Sequence, residues 1–373
     1  MSDPVDFHCM PNVFRCNDVG ISDSQAQINA IKKRLTREGL PAHGGDLDWA
    51  SKVFGRKKDD WVDVSTGVSP WSWPVPDIPK SVWQSLPASC ERLVVAASHY
   101  YGCAQHRLTP IPGSQYAISR VPMFVPKGHV ALPLVGYQEH RLAWEKHGHC
   151  VETYNDMDSL EALVEQGSVE YAVIINPNNP SGERAAVEVI AHIAKNLAAQ
   201  HPDSLLMVDE AFMDTAPDQS CISLGAANIL VLRSIGKFFG LAGLRLGFIV
   251  GSSRWCKIFE GEISPWLISH PAIYLGEKAL RDEAWITSQK RRVEEGSRIL
   301  LDLLSSRYES PIATDLFVSV SGRADTLLDD FIGFGVQGVL TRFISSTDNT
   351  GLLRFGLPGD RFQTFLERLK LVC

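Results

Sequence analysis

No stretch of this 373-residue chain is long and apolar enough to cross a membrane, and its first residues, Met1-Ser2-Asp3-Pro4, lack the basic-then-apolar order of a secretion signal. Basic charge is in deficit. Lys and Arg number 36 against 43 Asp and Glu, a net charge of −7, which argues against nucleic acid as the main partner because phosphate neutralisation needs a concentrated basic face. The one basic cluster of note, Lys32-Lys33-Arg34, sits beside Ile28, Ile31 and Leu35 at helical spacing and reads as the solvated side of an amphipathic helix. The eight cysteines form no Cys-x-x-Cys pair, so reduced thiols in a cytoplasmic protein are expected. His8, Cys9 and Cys16 lack a fourth partner at a recognisable spacing, and no metal site is assigned to them. Internal repeats and low-complexity tracts are missing too.

What is present suits a globular enzyme, with 45% hydrophobic and 21% charged residues. The length exceeds one simple core and predicts a large and a smaller domain. From about residue 90 to 255, short apolar runs alternate with longer amphipathic ones, the signature of an α/β architecture with a mostly parallel sheet flanked by helices. Val130-Ala131-Leu132, Tyr171-Ala172-Val173-Ile174-Ile175, Leu205-Leu206-Met207-Val208, Ile229-Leu230-Val231-Leu232 and Leu246-Gly247-Phe248-Ile249-Val250 read as strands. Their continuous apolarity means burial on both faces. Beyond Gly251 a helical pattern spans 284–306, and short strands follow at Leu316-Phe317-Val318-Ser319-Val320 and Leu352-Leu353-Arg354-Phe355, predicting a smaller α+β domain. The expected division is 1–80 as a segment contributing to the small domain, 81–259 as the large domain and 260–373 as the small one.

Ligands of an open parallel sheet collect at the carboxyl ends of its strands. Polar residues punctuate this chain at those ends. Asp209 closes one run, Asn176-Pro177-Asn178-Asn179-Pro180-Ser181-Gly182 closes another, and Ser234-Ile235-Gly236-Lys237 a third. Pro112-Gly113-Ser114-Gln115 precedes a predicted helix, where exposed backbone N–H groups accept a phosphate. Lys237 follows an apolar strand and is surrounded by Phe238-Phe239-Gly240-Leu241-Ala242-Gly243, a setting for a desolvated amine able to hold an aldehyde as a Schiff base.

Plainer roles compete with each of these. Asp209 could cap the next segment, Asn179 could make the turn, and Tyr137 could be core packing. Arg245, in Gly243-Leu244-Arg245-Leu246-Gly247, could be a surface ion pair, although its flanking residues predict burial and a fixed anionic partner.

Together these residues resemble the pyridoxal 5′-phosphate enzymes of the aminotransferase type I fold, class I/II, from roughly His43 to the C-terminus. The resemblance implies that Lys237 carries the cofactor as a Schiff base and that Asp209 pairs with the pyridine nitrogen. It implies further that Asn179 bonds the ring oxygen and Tyr137 stacks on the ring, while Gly113, Ser114, Ser234 and Arg245 bind the phosphate, with Gln115 adjoining. Arg354 then matches the arginine that holds the substrate carboxylate. Within the fold, His43-Gly44-Gly45-Asp46-Leu47-Asp48, Asp209-Glu210-Ala211-Phe212, Leu232-Arg233-Ser234 and Leu353-Arg354-Phe355-Gly356-Leu357-Pro358-Gly359 look like the threonine-phosphate decarboxylases of cobalamin biosynthesis. On that likeness His43, Gly44 and Gly45 help to bind the phosphate of a small phosphorylated amino acid, with Arg342 a second candidate for the anionic pocket. From residue types alone, His-Gly-Gly reads equally as a loop and Arg342 as a surface residue.

Two departures from the family pattern stand out. Phe212 occupies a position where many relatives carry a tyrosine, and Leu86-Pro87-Ala88 replaces a Tyr-Pro-Asp whose hydroxyl reaches across subunits. The fold implies a homodimer. An aminotransferase acting on a phosphorylated substrate such as histidinol phosphate is the closest rival, and an inactive cofactor-binding regulator or scaffold is the alternative outside enzymes.

Overall fold

The computed structural model describes residues 21–87, 89–262, 265–345 and 349–372. His8, Cys9 and Cys16 lie outside the described residues, as does Ala88 of the Leu86-Pro87-Ala88 run. The chain forms two compact units, one of Trp71–Arg292 and one combining Met1–Pro70 with Val293–Cys373. Residues 71–80 and 260–292, assigned from sequence to the smaller domain, therefore belong to the larger unit. The second boundary falls inside the helix Glu283–Ser305, whose unbroken apolar pattern carries no composition change to mark it.

The larger unit is built on a seven-stranded sheet in the order Leu108–Ile111, Gly247–Val250, Ile229–Ser234, Leu205–Asp209, Tyr171–Ile175, His129–Pro133, Cys150–Tyr154. From Ile229–Ser234 to Cys150–Tyr154 every neighbouring pair is parallel. Gly247–Val250 is the exception and runs antiparallel to both its neighbours. Its connection from Ser234 holds a 3-10 turn at Ala242–Leu244 but no crossover helix, and a strand reached that way returns antiparallel. The central strands are buried along their whole length because helices such as Ser114–Arg120 and Val187–Gln200 cover the sheet, as their continuous apolarity requires.

The smaller unit holds an antiparallel sheet ordered Arg342–Ser345, Thr350–Gly356, Phe317–Arg323, Ile312–Ala313, with the helix Ala324–Val336 packed on it. A short parallel pair joins Val62–Asp63 to Val339–Leu340. The helix Ile21–Glu38 buries Ile31 and Leu35 and turns Lys32 outward to pair with Asp329, so the basic cluster is a solvated face. The described cysteines, Cys90, Cys103, Cys150, Cys221 and Cys256, are all free thiols.

Candidate active site

Within the larger unit an open cleft lies at the carboxyl ends of the parallel strands. Gly113, Ser114, Gln115, Tyr137, Asn179, Asp209, Ser234, Lys237 and Arg245 all line it, together with Phe212.

Strand geometry places the acid. Successive side chains of a strand point to opposite faces, so Asp209, the last residue of Leu205–Asp209, faces the cleft while Glu210 turns away. Asp209 is buried, with 5% exposure, yet both its oxygens are engaged. Oδ1 accepts from the Ala211 amide at 3.1 Å, and Oδ2 lies 3.0 Å from Nε2 of His140. His140 is buried on the helix Glu139–Lys146, and its Nδ1 has no hydrogen-bond partner among the described residues. A carboxylate held this way has its orientation fixed toward the cleft. Sequence reasoning missed His140, since a lone histidine beside Gln138 and Glu139 on a helix gives no sign that it points inward.

Lys237 sits in the turn after Ile229–Ser234, its Nζ 5.2 Å from the centre of the Phe212 ring. The turn is anchored from behind by Phe238 and Phe239, both fully buried, with Trp285 stacked on Phe239 at 5.4 Å. Burying two such rings contributes about 2–3 kcal/mol each, which holds the amine without enclosing it.

Three asparagines share the loop after Tyr171–Ile175, and they divide their work. Asn176 exchanges two hydrogen bonds with the backbone of Ala185, and Asn178 donates to the Val135 carbonyl at 2.9 Å. Those two shape the loop, while Asn179 faces the cleft.

At the other end of the cleft Gly113 has φ +82°, and a Cβ there would lie 2.8 Å from a guanidinium nitrogen of Arg245. That backbone conformation favours glycine, and a Cβ there would displace the Arg245 guanidinium. Arg245 is exposed, contrary to the burial its neighbours predict: it adopts a left-handed conformation just after a 3-10 turn, and its side chain stands at the open mouth of the cleft. Gln115 lines the cleft beside Ser114 and is also tied to two neighbouring side chains. Its amide donates to Glu139 at 3.1 Å and its carbonyl accepts from the Tyr137 hydroxyl at 3.1 Å, which orients the Tyr137 ring. Burial, with Glu139 and Asp209 nearby, pushes the Tyr137 hydroxyl up to about 12, so it stays a neutral donor.

The smaller unit gathers the other predicted residues. Arg342 and Arg354 are cross-strand partners on adjacent strands. Arg342 donates to the carbonyls of Pro41 at 2.5 Å and Ala42 at 2.6 Å, which ties down the start of the His43 loop. Ser65 organises the rest: its Oγ accepts from Gly45 N at 2.7 Å and its carbonyl from Arg354 at 2.6 Å. A Cβ on Gly44 would fall 2.3 Å from that same carbonyl. His43 itself is exposed. Burial, aided by the charge of Arg342, lowers Arg354 to about 10, and burial lowers Arg342 as well. Two like charges opposed on one sheet face repel, and an anion relieves that repulsion.

The family model for aminotransferase class I and II matches residues 87–326, and the chain belongs to that family. The chain is 34% identical to the threonine-phosphate decarboxylase of Pseudomonas aeruginosa over 320 residues, covering 85% of this chain and 93% of that protein. A threonine-phosphate decarboxylase of Sinorhizobium sp is 36% identical over 65% of this chain and 72% of that protein. A histidinol-phosphate aminotransferase of Legionella pneumophila matches at 36%, but over only 32% of each chain. Among solved structures, histidinol-phosphate aminotransferase from Sinorhizobium meliloti in complex with pyridoxal-5′-phosphate superimposes with a TM-score of 0.73 over 90% of this chain and 94% of its own, at 19% identity, a likeness of fold.

Proposed function

We propose that this protein is a pyridoxal phosphate-dependent lyase that converts L-threonine O-3-phosphate to (R)-1-amino-2-propanol O-2-phosphate and CO2, a step of cobalamin biosynthesis. The observation that carries the cofactor reading is the cleft itself: a buried acid at its floor, an amine on its wall, and a glycine-arginine cradle that a single Cβ would fill. Identity of 34% to a threonine-phosphate decarboxylase along 85% of the chain supports the reaction, whereas histidinol-phosphate aminotransferases match at 36% over 32% of the chain or at 28% over 50% of it.

Bound in this cleft, pyridoxal phosphate supplies an electron sink for the bond broken at the substrate α-carbon. Asp209, fixed by His140, would hold a proton at the ring nitrogen. Asn179 would donate to the ring oxygen, and Tyr137, oriented by Gln115, would pack on the ring. Gly113, Ser114, Ser234 and Arg245 would hold the phosphate. Lys237 would hold the aldehyde, and its amine would be the proton donor to the substrate α-carbon. Arg354 grips the substrate carboxylate, and the His43 loop with Arg342 receives the substrate phosphate. Two anion clamps on one small molecule would orient its α-carbon, and such orientation would favour loss of the carboxylate over loss of the proton. Phe212 fits this division, since it adds no hydroxyl that competes with Asn179.

A cytoplasmic homodimer completes the proposal. Trp83 and Leu86, each 64% exposed, are large apolar residues suited to a second copy of the chain. No described helix is long and apolar enough to cross a membrane. Incubation with threonine phosphate and an assay for CO2, set against 2-oxoglutarate-dependent transfer from histidinol phosphate, tests the reaction. CO2 release without transfer is expected, and transfer without CO2 would establish the aminotransferase.

A further inference from the structure

Behind the strand ends that carry Asp209 and Ser234 lies a second polar cluster, on the face away from the cleft. Glu210 follows Asp209, and Arg233 precedes Ser234, so strand alternation turns both from the cofactor side. There they meet. Arg233 donates from one nitrogen to Glu210 at 2.9 Å and from the other to Asp214 at 3.1 Å. All three side chains are within 2% of complete burial. Glu210 also accepts from the Ser220 hydroxyl at 2.5 Å and from the Cys221 amide at 2.7 Å. The Tyr101 ring covers the guanidinium at 4.7 Å.

A buried charge cluster is a costly way to hold two strands together, and apolar packing would usually stabilise a fold as well or better. Such a cluster supplies direction. A guanidinium forked between two carboxylates admits one arrangement, where apolar side chains admit several. Here the fork joins the residue after the ring acid to Arg233, the residue before the phosphate hydroxyl and four residues ahead of Lys237. The surrounding strands are already paired, Asp209 opposite Leu232, with the Glu210 amide donating to the Leu232 carbonyl at 3.0 Å. The fork lies just past that last ladder bond, where the chains begin to part.

We propose that Arg233 is a positioning residue which, by bridging Glu210 and Asp214 behind the strand ends, fixes the placement of Asp209 relative to Ser234 and Lys237. This rests on the cofactor reading given above and deepens it. Sequence alone marks Asp209-Glu210 and Leu232-Arg233-Ser234 as motifs without saying why Glu210 and Arg233 belong to them, and the fork supplies the reason.

The test uses the holoenzyme of Arg233→Lys and Ser220→Ala. An ammonium keeps the charge but cannot fork, and Ser220→Ala removes one donor to Glu210 while leaving the ion pair. In Arg233→Lys the pH midpoint of the visible cofactor band should rise by about one unit, because a displaced Asp209 no longer holds the ring nitrogen protonated. The kcat should fall about 10- to 100-fold, as for a small misplacement of reacting groups, with KM for threonine phosphate nearly unchanged. Ser220→Ala should shift the midpoint the same way by less. Melting of the cofactor-free proteins separates positioning from support. If both variants keep the parental midpoint and cofactor affinity while only melting temperature falls, Arg233 is merely structural and the inference fails. A parent protein with no visible band would instead overturn the cofactor reading, and a responsive band without CO2 release would overturn only the substrate.

Discussion

Nε2 of His140 lies 3.0 Å from Oδ2 of Asp209, with both side chains buried. A carboxylate oxygen can only accept, so the imidazole nitrogen facing it donates, and the remaining ring nitrogen, Nδ1, has no hydrogen-bond partner among the described residues. The bond leaves Asp209 one rotamer and one direction for its charge. Substituting His140 by Phe keeps the volume and removes the donor. A hydrogen bond to a buried charge contributes about 1.5–3 kcal/mol, so kcat/KM should fall about 10- to 100-fold. Steady-state kinetics check this, and a His140→Phe enzyme with parental kcat/KM would remove His140 from the site.

Gly113 is the cheapest place to disturb the phosphate cradle. Its φ of +82° opposes a Cβ, and a Cβ there would push the Arg245 guanidinium, 2.8 Å away, out of its place beside Gly113. Gly113→Ala should weaken cofactor binding by about 1–3 kcal/mol, about 10- to 100-fold in dissociation constant. Titration of the cofactor-free protein with pyridoxal phosphate reads this directly.

Phe212 sets a spectroscopic prediction. Its ring faces the Lys237 amine at 5.2 Å and offers no hydroxyl. Phe212→Tyr adds a donor near the ring oxygen of the bound cofactor and stabilises that oxygen as an anion, which makes the neighbouring nitrogen easier to deprotonate. The pH midpoint of the visible band should fall by about one unit, the equivalent of one modest hydrogen bond.

Arg354 gives the pH dependence. Burial, with Arg342 close by, lowers it to about 10, so it is a cation below that pH and loses its charge above it. Affinity for the anionic substrate should hold through neutral pH and decline as pH rises through about 10, visible as a rising KM. The folding sign is opposite. A cation whose native pKa is depressed binds fewer protons folded than unfolded, so its burial cost is present below pH 10 and is relieved as pH rises from there towards its unfolded value. Arg354→Gln should abolish this limb of the KM profile and lower kcat/KM by about 30-fold or more, while leaving the cofactor band unchanged.

The comparison of sequence with structure turns on a few residues. Asp209 stood out in the sequence because it ends an unbroken apolar run, and Lys237 because it follows a buried strand and precedes an apolar, glycine-rich surround; a polar residue in such a place has few other reasons to be there. The parallel core was legible for the same reason. The reversal of Gly247–Val250 was not, because its apolar run looks identical in either direction and only the missing crossover helix distinguishes them. Arg245 was expected to be buried from its neighbours, but a left-handed turn projects it outward into an open cleft. His140, the Gln115–Tyr137 bond and the Arg233 fork depend on contacts between distant segments, which no local pattern encodes.

Everything in the mechanism depends on the amine of Lys237 carrying the cofactor aldehyde opposite Asp209. Reduction of the holoenzyme with borohydride, digestion and mass analysis of the peptides tests that claim most directly. A single pyridoxyl label on Lys237 is the predicted result; a label on any other lysine, or no label at all, would contradict it.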